Sequence, residues 1–239
     1  MSELLPLYPI PIHNPYWTDV RTKVSPGEFP WESPCIARFR MGPNIEESAL
    51  GFAEDYLDRH EYVMRYAWSV TDPGSVQFVA AYSRMSLLDP MAGSGYWAYV
   101  LKQLGVDVAA YDASPGTNPW HHDNPLWVPV NQGYAEVTVD KHPDRVLFLS
   151  WPPYSEPSAA RTLREYKGNR LIYIGEGEGG CTADSDFHEL LEDEWAEIAC
   201  HRPIQWWGIH DDICVYERKP KLYADPRKLD LDEEIDEAA

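Results

Sequence analysis

An α/β fold is predicted, built on a mostly parallel sheet with helices on both faces, and three observations carry it. From Leu87 to Glu217, short apolar runs of strand length alternate with stretches of helical periodicity, the pattern of strand–helix–strand units. The stretch Leu87–Asp112, LLDPMAGSGYWAYVLKQLGVDVAAYD, reads as strand, glycine turn, helix and strand. The last apolar segments, near Ile198–Ile204 and Ile213–Glu217, flank QWWGIHDD and read as an antiparallel pair at the end of the chain. With 239 residues, the chain is long enough for one sizeable domain with its own core.

Residues 1–43 are rich in proline and aromatic residues, LYPIPIHNPYW and then SPGEFPWESP. Prolines at this density forbid long helices and favour extended segments. The segment reads either as an irregular arm packed on the domain or as a lid that brings Tyr16, Trp17 or Trp31 to a substrate pocket. The domain proper spans 44–220. A helix is expected from Asn44, with Glu47 placed for a capping box, to about Tyr66. Its apolar face is Ala49, Phe52, Ala53, Tyr56 and Leu57. Asp72-Pro73 is an N-cap and first-turn pair for a second helix, with Val76, Val79 and Ala80 facing inward.

In the central unit, Leu87 and Leu88 close a buried strand that Asp89-Pro90 stops. Gly93-Ser94-Gly95 makes a turn with little side-chain bulk, and Gly93 and Gly95 let the backbone approach a ligand closely. Trp97, Val100, Leu101 and Leu104 recur at helical spacing, and Gly105 suits the position just past the helix end. Val106–Tyr111 is a second buried strand with Asp112 at its carboxyl end, where an acid can accept hydrogen bonds from both hydroxyls of a ribose. Two classes of cofactor use such a unit. Gly93, Gly95 and Ala98 fit the dinucleotide pattern G-x-G-x-x-A, with Asp112 about 20 residues on; the other class is S-adenosylmethionine.

A loop, ASPGTNPWHHDNPLW, follows, and Trp127–Val130 reads as a short third strand. The adjacent His121 and His122 do not converge on one ion and no third ligand is evident, so no metal is expected. Tyr134–His142 reads as a helix or a loop crossing back, Arg145–Ser150 as a fourth strand, and Ser155–Tyr166 as a helix closed by Gly168. Leu171–Ile174 is a fifth strand that runs into GEGEGG. Phe187, Leu190, Leu191, Trp195 and Ile198 trace a further helix. Residues 221–239 are acidic and weakly apolar and read as a mobile tail.

The fourth strand ends in Ser150 and is followed by Trp-Pro-Pro-Tyr. With this segment the chain resembles the class I S-adenosylmethionine-dependent methyltransferases. DPMAGSG resembles their first motif, in particular the form found in amino-methyltransferases of nucleic acids. SWPPY resembles their fourth motif, a polar residue followed by Pro-Pro and an aromatic residue. The further strings GYWA, GVDVAAYD, YIGEG and GCT are similar to methyltransferase-like proteins but assign no subfamily. The resemblance spans about Ser69–Glu217. It implies a Rossmann-like fold with a seven-stranded sheet closed by the antiparallel pair, and S-adenosyl-L-methionine as cofactor, with S-adenosyl-L-homocysteine as product. It implies a cofactor site at Asp89, which would hold the methionine amino group, and at Ala92, Gly93, Ser94 and Gly95. Asp112 would bind the ribose, Ala113 and Trp120 would flank the adenine, and Ser150 would close the site. Trp151, Pro152 and Tyr154 would shape the target site, with Glu178 as a further substrate contact. Tyr154, Glu176 and Ser150 are the expected catalytic residues, Glu176 as a base. Trp151 departs from the pattern, because it stands where the family carries a polar residue that helps to hold the target amine. His210, Asp211 and Asp212 form a second candidate base cluster or an ordinary turn.

The formal net charge of −19 repels phosphate backbones, since nucleic-acid binding normally rests on a basic footprint. A small-molecule acceptor, an amine among the candidates, is therefore expected over DNA or RNA. The alternatives are another reaction of the same sulfonium (cyclisation, lyase chemistry or aminopropyl transfer), a nucleic-acid amino-methyltransferase, or an NAD-dependent oxidoreductase. Cys35, Cys181, Cys200 and Cys214 form no C-x-x-C pair, so reduced thiols and a cytoplasmic location are expected. No stretch approaches the length of a membrane span, and no membrane partner is expected. The sequence sets no oligomeric state.

Overall fold

A computed structural model describes residues 11–25, 34–36, 57–120 and 124–220. In chain order its elements are α1 (Pro15–Val20), β1 (Val24–Ser25), β2 (Cys35–Ile36), α2 (Arg59–Arg65), α3 (Pro73–Tyr82), β3 (Ser86–Asp89), α4 (Tyr96–Lys102) and β4 (Asp107–Asp112). They continue with β5 (Asn131–Gln132), α5 (Ala135–Thr138), β6 (Val146–Ser150), α6 (Ser158–Glu165), β7 (Arg170–Gly175), α7 (Ser185–Glu194), β8 (Trp195–His201), β9 (Gln205–Trp206) and β10 (Asp212–Arg218). Seven strands form the main sheet in the order β5-β4-β3-β6-β7-β10-β8. The five from β5 to β7 are parallel, and β10 lies antiparallel between β7 and β8. This is the mostly parallel, seven-stranded sheet with a closing antiparallel pair that the sequence led us to expect.

The strand order reverses between β3 and β6. The chain steps outward from β3 to β5, then returns to start β6 on the other side of β3. Open α/β sheets bind ligands in the crevice outside the strand carboxyl ends at such a switch point. Both faces of the sheet are covered, and strand alternation sorts the side chains between them. Leu87, Phe148, Ile172 and Val215 face one core with Val79 of α3, Trp97 and Leu101 of α4, and Tyr16 and Val20 of α1. Leu88, Leu147, Leu149 and Leu171 face the other, with Leu163 of α6 and Phe187 and Leu191 of α7. Parallel strands buried on both faces read as continuous apolar runs, as VLFLS and RLIYIG do.

The described part of the N-terminal segment is fastened to the domain. Tyr16 is fully buried, its hydroxyl accepts from Trp206 Nε1 at 2.8 Å, and its amide donates to Tyr96 Oη at 2.9 Å. β1, β2 and β9 form a separate small sheet. Trp31 and the tail 221–239 lie outside the described residues.

Several boundaries differ from the sequence reading. The helix expected over Asn44–Tyr66 does not run unbroken: Leu57 and Asp58 are not helical, and Asp58 caps α2 by accepting from His60 N at 2.9 Å. Its expected start lies outside the described residues. Trp127–Val130 is not a strand. Pro129 offers no amide to a ladder, and pairing with β4 begins at Asn131. Ser155 has a positive φ of 57° and Pro157 disfavours helix before it, so α6 starts at Ser158. Trp195 and Ile198 belong to β8, not to the helix of Phe187 and Leu191. The register of β8 against β10 shifts between Val215↔Ala199 and Tyr216↔Glu197, which leaves Ile198 as an unpaired bulge residue, 44% exposed. The extra residue puts Trp195 on the α7 side of the sheet, against Tyr166 and under the Arg218 guanidinium. Finally, Cys200 and Cys214 are not free thiols. They face each other across β8 and β10 with Cα atoms 4.2 Å apart and are joined by a disulfide. The cytoplasmic expectation loses the support it drew from this pair. Cys35 and Cys181 are free.

Asp72 shows how the first face is locked. It caps α3 through Gly74 N at 3.0 Å and Ser75 N at 3.2 Å, accepts from the Ser75 hydroxyl, and reaches Ile204 N at 3.2 Å ahead of β9. Asp72→Ala removes the cap and leaves the Ile204 amide without its acceptor. The expected loss is about 2 kcal/mol or more in urea unfolding, against almost nothing for Gln77→Ala on the exposed side of the same helix.

Candidate cofactor and acceptor site

β3 ends at Asp89, and the chain turns through Met91–Gly95 into α4. Gly93 and Gly95 hold φ values of 53° and 75°, a region that costs other residues energy. The turn is tied to β4 by two bonds, Ala92 N donating to Tyr111 O at 2.8 Å and Gly93 N to the Asp112 carboxylate Oδ2 at 3.0 Å, and is closed on itself by Gly95 N donating to Ala92 O at 2.8 Å. Ser94 donates its hydroxyl to Tyr66 O, and its own carbonyl accepts from Trp127 N at 2.9 Å. A Cβ on Gly95 would sit 2.8 Å from Val128 Cγ2 and 3.0 Å from Val130 Cγ2. The segment expected as a third strand is therefore the packing that covers this turn.

A cavity of about 510 Å³ opens beyond the carboxyl ends of β3, β4 and β6. Asp89 and Asp112 both line it. Asp112 is held by two amides, Gly93 N on Oδ2 and Ser114 N on Oδ1 at 2.9 Å. Each of its oxygens keeps a second lone pair. Asp89 is 2% exposed, and its Oδ1 is buried with no hydrogen-bond partner. Burial, reinforced by the neighbouring Asp112 charge, pushes the Asp89 carboxyl up to about 8.

The side of the cavity toward β6 is aromatic. Trp68 and Trp151 stack at 5.3 Å with an interplanar angle of 13°, and Trp120 meets Trp68 edge-on at 4.9 Å. Trp151 holds a φ of 52°, strained for a side chain of this size. Two contacts fix it there: its amide donates to Ile174 O at 2.8 Å, and its indole Nε1 donates to Asp211 Oδ2 at 2.9 Å. Asp211 is buried, and burial raises its carboxyl to about 6. Ser150 Oγ lies 3.3 Å from Ser69 Oγ, which accepts from Trp97 Nε1 at 2.9 Å.

The cavity thus brings together Asp89, Ala92, Gly93, Ser94, Asp112, Ala113, Trp120, Ser150 and Trp151 of the expected site residues. Others lie elsewhere. Gly95 is under the Val128 and Val130 side chains. Pro152 is buried and off the cavity. Tyr154 is 66% exposed and neither lines the cavity nor enters the core, because the reversal at Trp151 and the two prolines carry it outward. Glu176 is not placed as a base. Its two oxygens accept from His210 N and Cys181 N, each at 2.8 Å. Burial alone would raise its carboxyl, and these bonds outweigh burial and hold it below the ordinary range. Glu178 is exposed in the same loop, off the cavity. Asp211 serves Trp151 rather than forming a base cluster with His210 and Asp212. His121 and His122 lie outside the described residues. Trp68 and Ser69 escaped the sequence reading, because nothing local distinguishes them from ordinary core residues.

No family model matches the chain. No curated protein matches it. Among solved structures it is similar to a TehB-like SAM-dependent methyltransferase from Corynebacterium glutamicum, with 16% identity over 72% of this chain and 94% of that one and a TM-score of 0.42. It is also similar to the magnesium protoporphyrin IX methyltransferase of Synechocystis with bound SAM, at 14% identity over 61% and 79% of the two chains with a TM-score of 0.41. A protein of Streptococcus pneumoniae described as a tRNA (m1A22) methyltransferase, in complex with S-adenosyl-L-methionine, shares 15% identity over 63% and 75% with a TM-score of 0.44. The strand order β5-β4-β3-β6-β7-β10-β8 itself, and not these likenesses, defines the fold.

Asp89 gives a pH signature. Its carboxyl is raised in the folded chain above its unfolded value, so the folded state binds the extra proton. Wild-type stability therefore falls as pH rises from about 4 to about 8 and levels off beyond. Asp89→Asn lacks this dependence. In urea unfolding without ligand, the variant is expected to gain on the wild type across that window, by an amount on the order of a few kcal/mol, with no further gain above it. A constant difference over the window would show that Asp89 does not carry the shift.

Proposed function

We propose that the chain is an S-adenosyl-L-methionine-dependent methyltransferase acting on a small-molecule acceptor, an amine among the candidates, and releasing S-adenosyl-L-homocysteine. The observation that carries this reading is the pair of carboxylates at the adjacent ends of β3 and β4. They flank the glycine turn in a cavity that continues to Ser150 and Trp151.

The residues fit that cofactor. The unpartnered Asp89 Oδ1 suits the ammonium of its methionine part, whose charge would draw the raised Asp89 back to the carboxylate. Asp112, ordered by two amides, has lone pairs left for two ribose hydroxyls. Ala92, Gly93, Ser94 and Ala113 complete the wall on that side, and Trp120, edge-on to Trp68, joins it to the aromatic side. The cofactor supplies an electrophilic methyl group on a sulfonium. What falls to the chain is to hold the acceptor in line and to exclude water, and Trp68 and Trp151 offer flat surfaces for this. Of the expected catalytic residues, Ser150 is the one at the cavity, and its hydroxyl is oriented through Ser69 and Trp97. Tyr154 serves this reaction only if the 152–157 segment folds inward over the acceptor. An NAD-type dinucleotide fits less well, because its pyrophosphate would lie beside the buried Asp89 carboxyl, which offers it no positive charge, with the Asp112 carboxylate next to it.

A small acceptor is favoured over nucleic acid by the charge of −19 and by Glu136 and Glu156 among the cavity-lining residues. Calorimetry is expected to show S-adenosyl-L-homocysteine binding to the wild type and no saturable binding of NAD⁺; the reverse would overturn the cofactor assignment. Asp112→Ala, checked for folding by circular dichroism, is expected to weaken that binding by about 1.5–3 kcal/mol. A salt-sensitive complex with RNA or DNA near physiological ionic strength, or methyl label transferred to either, would count against a small acceptor.

A further inference from the structure

Strand alternation sets residues two apart on one face of a sheet and residues three apart on opposite faces. Glu197 and Cys200 of β8 are three apart and still share a face, because Ile198 is left unpaired between them. Cys200 pairs with Cys214 and Glu197 with Tyr216, and those partners stand two apart on β10. A carboxylate oxygen and two sulfurs are thereby gathered within 4.8 Å of one another. They sit at the outer strand of the sheet, and none of the three residues lines the cavity. Glu197 and Cys200 are exposed and Cys214 is buried. While the disulfide stands, the two sulfurs are spent on each other. The exposed Cys200 offers its sulfur to an attacking thiolate, with Cys214 Sγ as the leaving group. A dithiol completes the exchange: it closes its own disulfide and gives up two electrons and two protons, and Cys200 and Cys214 become thiols. The face then carries two sulfur donors and a carboxylate. That set suits zinc and is ill suited to magnesium or calcium. A tetrahedral zinc spaces such donors about 4 Å apart, within the span that the strand register provides.

We propose that the dithiol form of the chain holds one Zn²⁺ on Cys200, Cys214 and Glu197, with water in the fourth position. As the two zinc–sulfur bonds form, both thiol protons are released to solvent. The unpaired Ile198 is what makes a third protein ligand available, because a regular pleat would turn Glu197 to the opposite face. The outer strand is then clipped to β10 in either state, by a covalent bond when the pair is oxidised and by the metal when it is reduced. The site is independent of the methyl-transfer reading.

The test reduces the full chain with a dithiol, removes the reductant without air, and titrates the protein with Co²⁺ as a coloured stand-in for zinc, then with Zn²⁺. The reduced wild type is expected to take up one Co²⁺, with a sulfur-to-metal charge-transfer band and the visible bands of a tetrahedral site, and to lose both as Zn²⁺ displaces it. Zinc should raise the melting temperature of the reduced chain and leave that of the oxidised chain unchanged. The double variant Cys35→Ser/Cys181→Ser should behave as the wild type, and Cys200→Ser should show no charge-transfer band. Glu197→Gln should bind zinc about tenfold more weakly or worse. Should a serine variant fail to fold, the oxidised wild type decides, since in it this pair alone is blocked. A reduced chain that binds no Co²⁺ or loses its fold, equal binding by the oxidised chain, a band that survives in Cys200→Ser or vanishes in the folded double variant, or an unchanged affinity in Glu197→Gln would each overturn the proposal.

Discussion

The carboxylate of Asp112 joins the turn after β3 to the start of the loop after β4. One oxygen holds the amide of Gly93 in the turn after β3, and the other holds Ser114 beyond β4. With Ala92 N on Tyr111 O, these bonds seat the glycine turn against the neighbouring strand and set where α4 begins. The turn then has room only for hydrogen at Gly95, because Val128 and Val130 close over it. Burial raises the proton affinity of Asp89 next door, and the charge held on Asp112 adds to that rise.

On the far side of the switch point, order comes from strain that is held rather than avoided. Trp151 leaves β6 in a left-handed conformation, and it is restrained at both its backbone and its indole. The indole plane is thereby fixed toward the cavity and stacks on Trp68, a residue from an entirely different part of the chain. A polar residue at this position would leave the buried Asp211 without its donor and Trp68 without its stacking partner. The departure from the family pattern at Trp151 thus has a local structural logic, and it gives the acceptor side an aromatic character that the motif alone does not imply.

How far the sequence reveals this depends on the range of the interactions involved. The Leu87–Asp112 unit was legible because its strand, turn, helix and second strand are defined by neighbours in the chain. The α3 cap at Asp72-Pro73 was legible for the same reason. Trp127–Val130 does not read correctly from sequence because its apolar residues cover Gly95, a turn residue far back in the chain, and not a ladder. Trp195 and Ile198 mimic helical spacing because a bulge breaks strand alternation, and a bulge has no local signature here. Glu176 has the chemistry of a base, and only the amide of His210, brought alongside by the fold, shows that it is otherwise engaged. Cys200 and Cys214 become partners through strand register, which no spacing rule supplies. Arg59 stood in a segment read only as amphipathic helix, with nothing to mark it as a cation held on two distant indoles, those of Trp68 and Trp151.

The bulge at Ile198 also bears on how the molecule meets other copies of itself. An edge strand with regular pleat presents a row of unpaired amides and carbonyls to any passing chain. β8 is the sheet's outer strand on one side, and its extra residue breaks that row and twists the strand locally. The disulfide on one side of the bulge and the Trp195–Arg218 contact on the other keep the extra residue from migrating along the ladder. The opposite edge is β5, two exposed polar residues long. Among the described residues, one border of the sheet is too short to template a further strand and the other is too irregular, so the seven-stranded sheet does not invite an eighth.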